Sequence, residues 1–285
     1  MPLPTGALSR RQLLQAGVGL PLVSSPKVVA NSAELRATGA AQATPPSQAK
    51  PDYVLNIEPQ QIAPLGKPTH ATLVNGELPG TEIRYRDGDM LRVLVNNGLP
   101  SPTTIHWHGM IVPNLMDGVP GVTQMPIAPG DALLYEYPLR QAGTYWYHSH
   151  FGFQEQTGLS GALIVEARDE SFPYDHDVVV MMSDWLNQRP EEIIPQIRGQ
   201  QPATVAVKPE MEDAYALSGE KPFNVDVNYP GYLINGRSNA SPWTLKVRRG
   251  DRIRLRLINS STSTFFRVAL DGHELQLVAA DGRPV

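Results

Sequence analysis

Hydrophobic and polar residues alternate in short runs along most of this chain. Leu91, Val93 and Val95 are interleaved with Arg92 and Leu94, and Leu133, Tyr135 and Tyr137 repeat the same two-residue period. That period puts successive side chains on opposite faces of a strand. Turn residues punctuate the runs at short intervals, as in Asn96-Asn97-Gly98 and Pro129-Gly130-Asp131. Short strands divided by turns predict an all-β sandwich or barrel. No long segment carries a helical period, and one short helix is expected between Pro190 and Gly199.

The pattern also repeats. Tyr85-Arg86-Asp87-Gly88-Asp89-Met90-Leu91-Arg92-Val93 matches Val247-Arg248-Arg249-Gly250-Asp251-Arg252-Ile253-Arg254-Leu255 at an offset of 162 residues. Upstream, Leu73-Val74-Asn75-Gly76 matches Leu233-Ile234-Asn235-Gly236. Two related β domains are therefore expected in tandem. The first covers residues 52–168 and the second 169–285, with a polar, Pro-rich insertion at 187–230. At the repeat offset the second copy would close past Val285, so it is expected to be incomplete and the chain to be a fragment.

Composition narrows the chemistry. Net charge is −4 and only 18% of residues are charged, which gives no reason to expect nucleic acid. The one dense basic stretch, Arg248 to Arg256, alternates with apolar residues and is expected to be the wet face of a strand. There is no cysteine, which removes disulfides, thiolate ligands and a cysteine nucleophile. Near the N-terminus, Arg10-Arg11 precedes a weakly apolar run from Ala16 to Val23. This predicts a twin-arginine export leader within a lead-in of residues 1–51, and hence a periplasmic protein. The run is too short to span a bilayer, which takes about 20 apolar residues.

Two His-x-His pairs hold four of the seven histidines: His106-Trp107-His108 and His148-Ser149-His150. Each follows a β-like run, so both imidazoles of a pair share a strand face, roughly 6.5–7 Å apart at the backbone. Two such strands side by side would gather four nitrogen donors, the outline of a metal site. Four imidazoles also suit a single zinc or Cu(II) ion. The image of His106 and His108 in the second copy is Val268 and Leu270, so that copy is expected to keep the strand without the ligands.

The motifs around these pairs are specific. Ile105-His106-Trp107-His108-Gly109, Met116-Asp117-Gly118-Val119-Pro120-Gly121, Gly143-Thr144-Tyr145-Trp146-Tyr147-His148-Ser149-His150 and Gly158-Leu159-Ser160-Gly161 together resemble the first domain of multicopper oxidases. Phe151-Gly152-Phe153-Gln154-Glu155-Gln156 and Val180-Met181-Met182-Ser183-Asp184-Trp185 resemble the copper-resistance (copper resistance protein A) type. The resemblance covers residues 52–285. It implies cupredoxin-like Greek-key domains and a trinuclear copper cluster between a first and a third domain. On it, His106 corresponds to the type 2 copper ligand, His108 and His148 to ligands of one type 3 copper, and His150 to a ligand of the other. Asp117 corresponds to the acid beside the cluster that helps deliver protons to dioxygen. The implied activity oxidises Cu(I) or a small phenolic donor and reduces dioxygen to water.

The chain departs from the family pattern in two ways. A complete cluster takes eight histidines and four are present; the others would come from a C-terminal cupredoxin domain absent here. A type 1 site needs a cysteine, and none exists. The chain alone is therefore expected to be inactive. The competing reading is a non-catalytic periplasmic copper-binding or cupredoxin scaffold protein, which retention of both pairs disfavours. Trp107 and Trp146 are expected to pack the barrel, and Met110, Met116 and Met125 to pack rather than bind copper. His70 and His176 are expected at the surface, and His273 to be structural.

Overall fold

The computed structural model describes residues 50–170, 172–197 and 227–285. The expected leader and most of the 187–230 insertion lie outside these residues. Among them no helix is long and apolar enough to cross a membrane.

The described residues are all-β with short helical turns. Eight strands make a sandwich: β1 (Tyr53–Ile62), β2 (Thr69–Val74), β3 (Gly80–Arg86), β4 (Met90–Asn97), β5 (His106–His108), β6 (Ala132–Pro138), β7 (Gly143–His148) and β8 (Ser160–Glu166). One sheet runs β2-β1-β4-β6 and the other β3-β8-β7-β5. β1–β4 and β3–β8 are parallel pairs, and the other neighbours are antiparallel. The alternation in the sequence decides which side chains face in. Leu91, Val93 and Val95 of β4 and Tyr135 and Tyr137 of β6 are buried between the sheets, opposite each other in register. They join Leu55, Ile57, Ile83, Trp107 and Tyr147 in one core. Trp107 is fully buried, with its ring centroid 5.3 Å from that of Tyr135, so the central residue of the first His-x-His motif anchors β5.

A third sheet has the order β10-β9-β11, from β9 (His176–Trp185), β10 (Gly231–Ile234) and β11 (Ile253–Asn259). A small hairpin, β12 (Ala279–Ala280) and β13 (Arg283–Pro284), follows. The short helix expected after Pro190 is a 3₁₀ turn at Pro190–Glu192 leading to α1 (Ile194–Ile197). β8 is buried on both faces. Leu163 and Val165 enter the first core, while Ala162 and Ile164 pack on Met181 and Ile258. This explains the unbroken apolar run at residues 161–165, where a one-sided strand would alternate.

The repeat is present at the level of single hydrogen bonds. β10, β9 and β11 reproduce the order and directions of β2, β1 and β4. Asn75 has a left-handed φ of 53°, and Asn235 has 47°; each precedes a left-handed glycine. Asn75 Nδ2 donates to the Val54 carbonyl at 3.0 Å, and its Oδ1 accepts the Asn56 amide at 2.9 Å. Asn235 Nδ2 donates to the Val179 carbonyl at 2.9 Å, and its Oδ1 accepts the Met181 amide at 2.7 Å. The same side chain thus latches the same turn to the neighbouring strand twice. Asp89 and Asp251 likewise accept the amides of Arg86 and Arg248.

Two expectations need correction. Val268 and Leu270 are in no strand and are exposed. β5 owes its strand to pairing with β7, and among the described residues Val268 and Leu270 pair with no strand. The basic stretch is not uniformly wet: Arg256 is 3% exposed and makes two bonds to Asp177, at 2.6 and 2.8 Å, and one to Thr144 Oγ1 on β7 at 2.9 Å. The alternation has the opposite phase, with Ile253 and Leu257 outward, because Asp177 supplies a buried counter-charge. His176 is half-buried and sits 2.8 Å from Asp251 Oδ2.

Candidate metal centre

β5 and β7 pair so that His106 lies opposite His148, Trp107 opposite Tyr147 and His108 opposite Trp146. Trp107 and Tyr147 point into the core, so the two-residue period puts His106, His108, Trp146 and His148 on the other face. One nitrogen from each of His106, His108 and His148 falls within a group no more than 4.8 Å across. His150, just past β7, joins from the side: its ring centroid is 4.5 Å from that of His106 and 4.9 Å from that of His148. All four sequence-predicted imidazoles are therefore brought together.

Backbone and side-chain bonds hold the rings. His106 Nδ1 is 2.6 Å from the Asp117 carbonyl, which can only accept, so Nδ1 carries the proton and Nε2 keeps a lone pair. The Asp117 carboxylate is 3.4 Å from the same Nδ1. Gly118 makes this approach feasible: its φ is +81°, and a Cβ there would sit 2.0 Å from the Ile105 carbonyl. His148 Nδ1 lies 2.8 Å from Glu155 Oε2. Gln154, buried, receives the hydroxyls of Thr103 and Ser149 at 2.7 Å each and donates to the Pro102 carbonyl. It ties the segment after β7 to the segment before β5.

The chemistry of the donors fits copper. Imidazole nitrogens suit that ion, and they must be neutral to bind it. Partial burial, followed by the neighbouring imidazoles of His148 and His106, pushes the His108 pKa below its ordinary value. Partial burial, then His106 and His148, does the same at His150. His108 Nδ1 and His148 Nε2 face each other at 3.1 Å, a separation that metal–imidazole bonds of about 2.0–2.1 Å can bridge.

Two neighbours of the site escape the sequence reading. Trp146 does not pack inside the barrel: it stacks on His148 at 4.2 Å and on His108 at 4.8 Å, and its outer side meets the β9–β11 layer. The two-residue period from His148 was the available signal. Glu155 lies in a turn, where no period tells which way a side chain points. Met110 and Met116 pack against the first core as expected, whereas Met125 is 80% exposed.

Comparison with known proteins agrees with this geometry. Family models described as multicopper oxidase match residues 56–170 and 176–285. Copper resistance protein A of Escherichia coli is 37% identical over 82% of this chain and 42% of its own length. Multicopper oxidase MmcO of Mycobacterium tuberculosis is 35% identical over 97% of the chain and 57% of its own length. The chain thus spans well under two thirds of the curated relatives it matches. The crystal structure of a multicopper oxidase from Pseudomonas thermotolerans superposes with a TM-score of 0.65 at 32% identity, covering 83% of this chain and 53% of that one. With an all-β, cupredoxin-like fold and four converging imidazoles, the chain belongs to the multicopper oxidase family.

Proposed function

We propose that this chain supplies half of a trinuclear copper centre in an oxidase of the copper-resistance type. The observation that carries the reading is the register of β5 against β7, which opposes His106 to His148 and gathers nitrogens of three histidines within 4.8 Å. His106 would hold the type 2 ion, His108 and His148 one type 3 ion, and His150 the other. Copper bound there would supply the electrons that reduce dioxygen to water, drawn from Cu(I) or a small phenolic donor. The chain's own groups bind and orient: Asp117 fixes His106 through its carbonyl, and its carboxylate, 28% exposed, is placed to pass protons from solvent towards the centre. The remaining ligands and the type 1 site would come from sequence that the relatives possess and this chain does not span. Residues 52–168 form the copper-bearing domain on this reading, and 169–285 belong to the second. Export by the twin-arginine route to the periplasm fits Arg10-Arg11 and the apolar run behind it.

Oxygen uptake by the full-length copper-loaded protein tests the reading. His106→Ala is expected to abolish it while leaving the chain folded. Undiminished uptake in that variant removes His106 from the centre.

A further inference from the structure

We propose that Gln154 is a positioning residue of the metal centre, fixing His150 against the three imidazoles of the strand ladder. The inference rests on the reading of the four histidines as copper ligands. His106, His108 and His148 lie on β5 and β7, whose pairing sets their spacing. His150 lies two residues past β7, outside that ladder. The rings of His106 and His148 are also held, through Nδ1, by the carbonyls of Asp117 and Ser149. Among the described residues the His150 ring has no such bond, so its place follows from its backbone, whose amide bonds Thr104 Oγ1.

That backbone is anchored on Gln154. The side chain is buried, and its amide uses all four of its hydrogen-bonding positions. Nε2 donates to the Pro102 carbonyl at 2.8 Å and to Ser101 Oγ at 3.4 Å. Oε1 accepts the hydroxyls of Thr103 and Ser149, each at 2.7 Å. A carbonyl only accepts, so Pro102 decides which end of the amide is nitrogen. Ser149 Oγ in turn accepts the Phe151 amide at 3.0 Å. The residues on either side of His150 are thus tied, through one hydroxyl, to one oxygen of Gln154. The other hydroxyl on that oxygen belongs to Thr103, three residues before His106.

Gln154 bonds to none of the four rings. It acts on the distance between two chain segments, the one that leads into β5 and the one that leaves β7. Thr103 and Ser149 are buried, so their hydroxyls have no bulk water to turn to when the amide is removed. The β5–β7 ladder contains no bond from Gln154. Loss of the amide therefore displaces His150 and leaves the other three imidazoles together.

The test uses the chain itself, with Cu(II) as the probe. In the metal-free protein, proton cross-relaxation between rings reports which imidazoles are neighbours. The native chain is expected to show His150 beside His106 and His148, whose ring centroids lie 4.5 and 4.9 Å away. Gln154→Met, which keeps the length of the side chain and loses the four bonds, is expected to lose both His150 cross-peaks and keep that between His106 and His148. Competition titration is expected to show Cu(II) binding weakened about 10-fold, with no further loss when His150→Ala is added. Unchanged His150 cross-peaks in Gln154→Met overturn the assignment. So does loss of all the ring contacts together, which would mark a general structural role, and so does a full additional loss of affinity from His150→Ala. If Gln154→Met does not fold, Ser149→Ala, which cuts the link to His150 alone, decides by the same criteria. A native chain that binds no copper overturns the metal-centre reading itself, and the native titration distinguishes that failure from the others.

Discussion

His108 Nδ1 lies 3.1 Å from His148 Nε2, although 40 residues separate the two in sequence. The His148 nitrogen is left unprotonated by the bond at its other edge, so the pair has room for one proton or one cation. Replacing His108 by Ala is therefore expected to cost copper affinity and little stability, since the ring reaches the surface. Isothermal titration with Cu(II) should show at least a tenfold loss, while the urea midpoint moves by less than about 1 kcal/mol equivalent. A large fall in stability would mean that the ring packs rather than ligates.

Acidity should act on the metal-free chain in two separate windows. His108 and His150 have lowered pKa values in the folded state, from burial and from neighbouring imidazoles. The unfolded chain then binds their protons more readily than the folded one. Stability from this source is whole above about 6.5 and falls as pH drops below that value. Burial opposes ionisation at Asp177, but the guanidiniums of Arg256 and Arg84 outweigh it and hold the carboxyl below 3.8. Its contribution is lost only at more acidic pH. Melting temperature measured from pH 7.5 to 5 should fall, and His108→Gln with His150→Gln should flatten that limb alone.

Gly118→Ala should damage the centre from outside it. The new methyl would meet the Ile105 carbonyl at 2.0 Å, at a φ of +81°. A backbone strain of about 1–3 kcal/mol is expected, relieved by moving the Asp117 loop away from His106. Denaturant titration would show the loss, and the His106 ¹⁵N shifts would show the broken bond to the Asp117 carbonyl. Unchanged shifts would mean that the loop absorbs the methyl elsewhere.

Arg256→Met should be among the most destabilising changes in the β10-β9-β11 sheet. It strands the Asp177 carboxylate, whose side chain is 11% exposed, with Arg84 as its remaining partner. Removing one member of such a buried pair costs about 3–5 kcal/mol. Arg256→Met combined with Asp177→Leu should recover much of that loss. Chemical denaturation of the single and double variants checks both statements.

How far the sequence announces all this depends on the kind of signal. The two-residue period identified β4 and β6 and their buried faces, because burial on one side leaves its mark at every second position. The repeat carries the β10-β9-β11 sheet down to Asn235 and Asp251. The four imidazoles were legible as a site because two strand-borne pairs share a period. Their register was not, since β5 and β7 meet through a pairing that no local pattern encodes. Gln154 acts from a turn, where side-chain direction follows from tertiary bonds alone. The phase of β11 was misjudged for a related reason: arginine at alternate positions signals water unless a buried carboxylate waits opposite, and Asp177 sits 79 residues from Arg256.

The asparagine latch occurs once in the copy that carries the four imidazoles and once in a copy that lacks them. Whatever keeps Asn75 and Asn235 in place is thus indifferent to copper. The imidazoles and the latch are carried by different residues on different sheets. A designer could strip or transplant the imidazoles of β5 and β7 without touching the turns that hold the strands, and the scaffold would persist as an empty chassis for other donors.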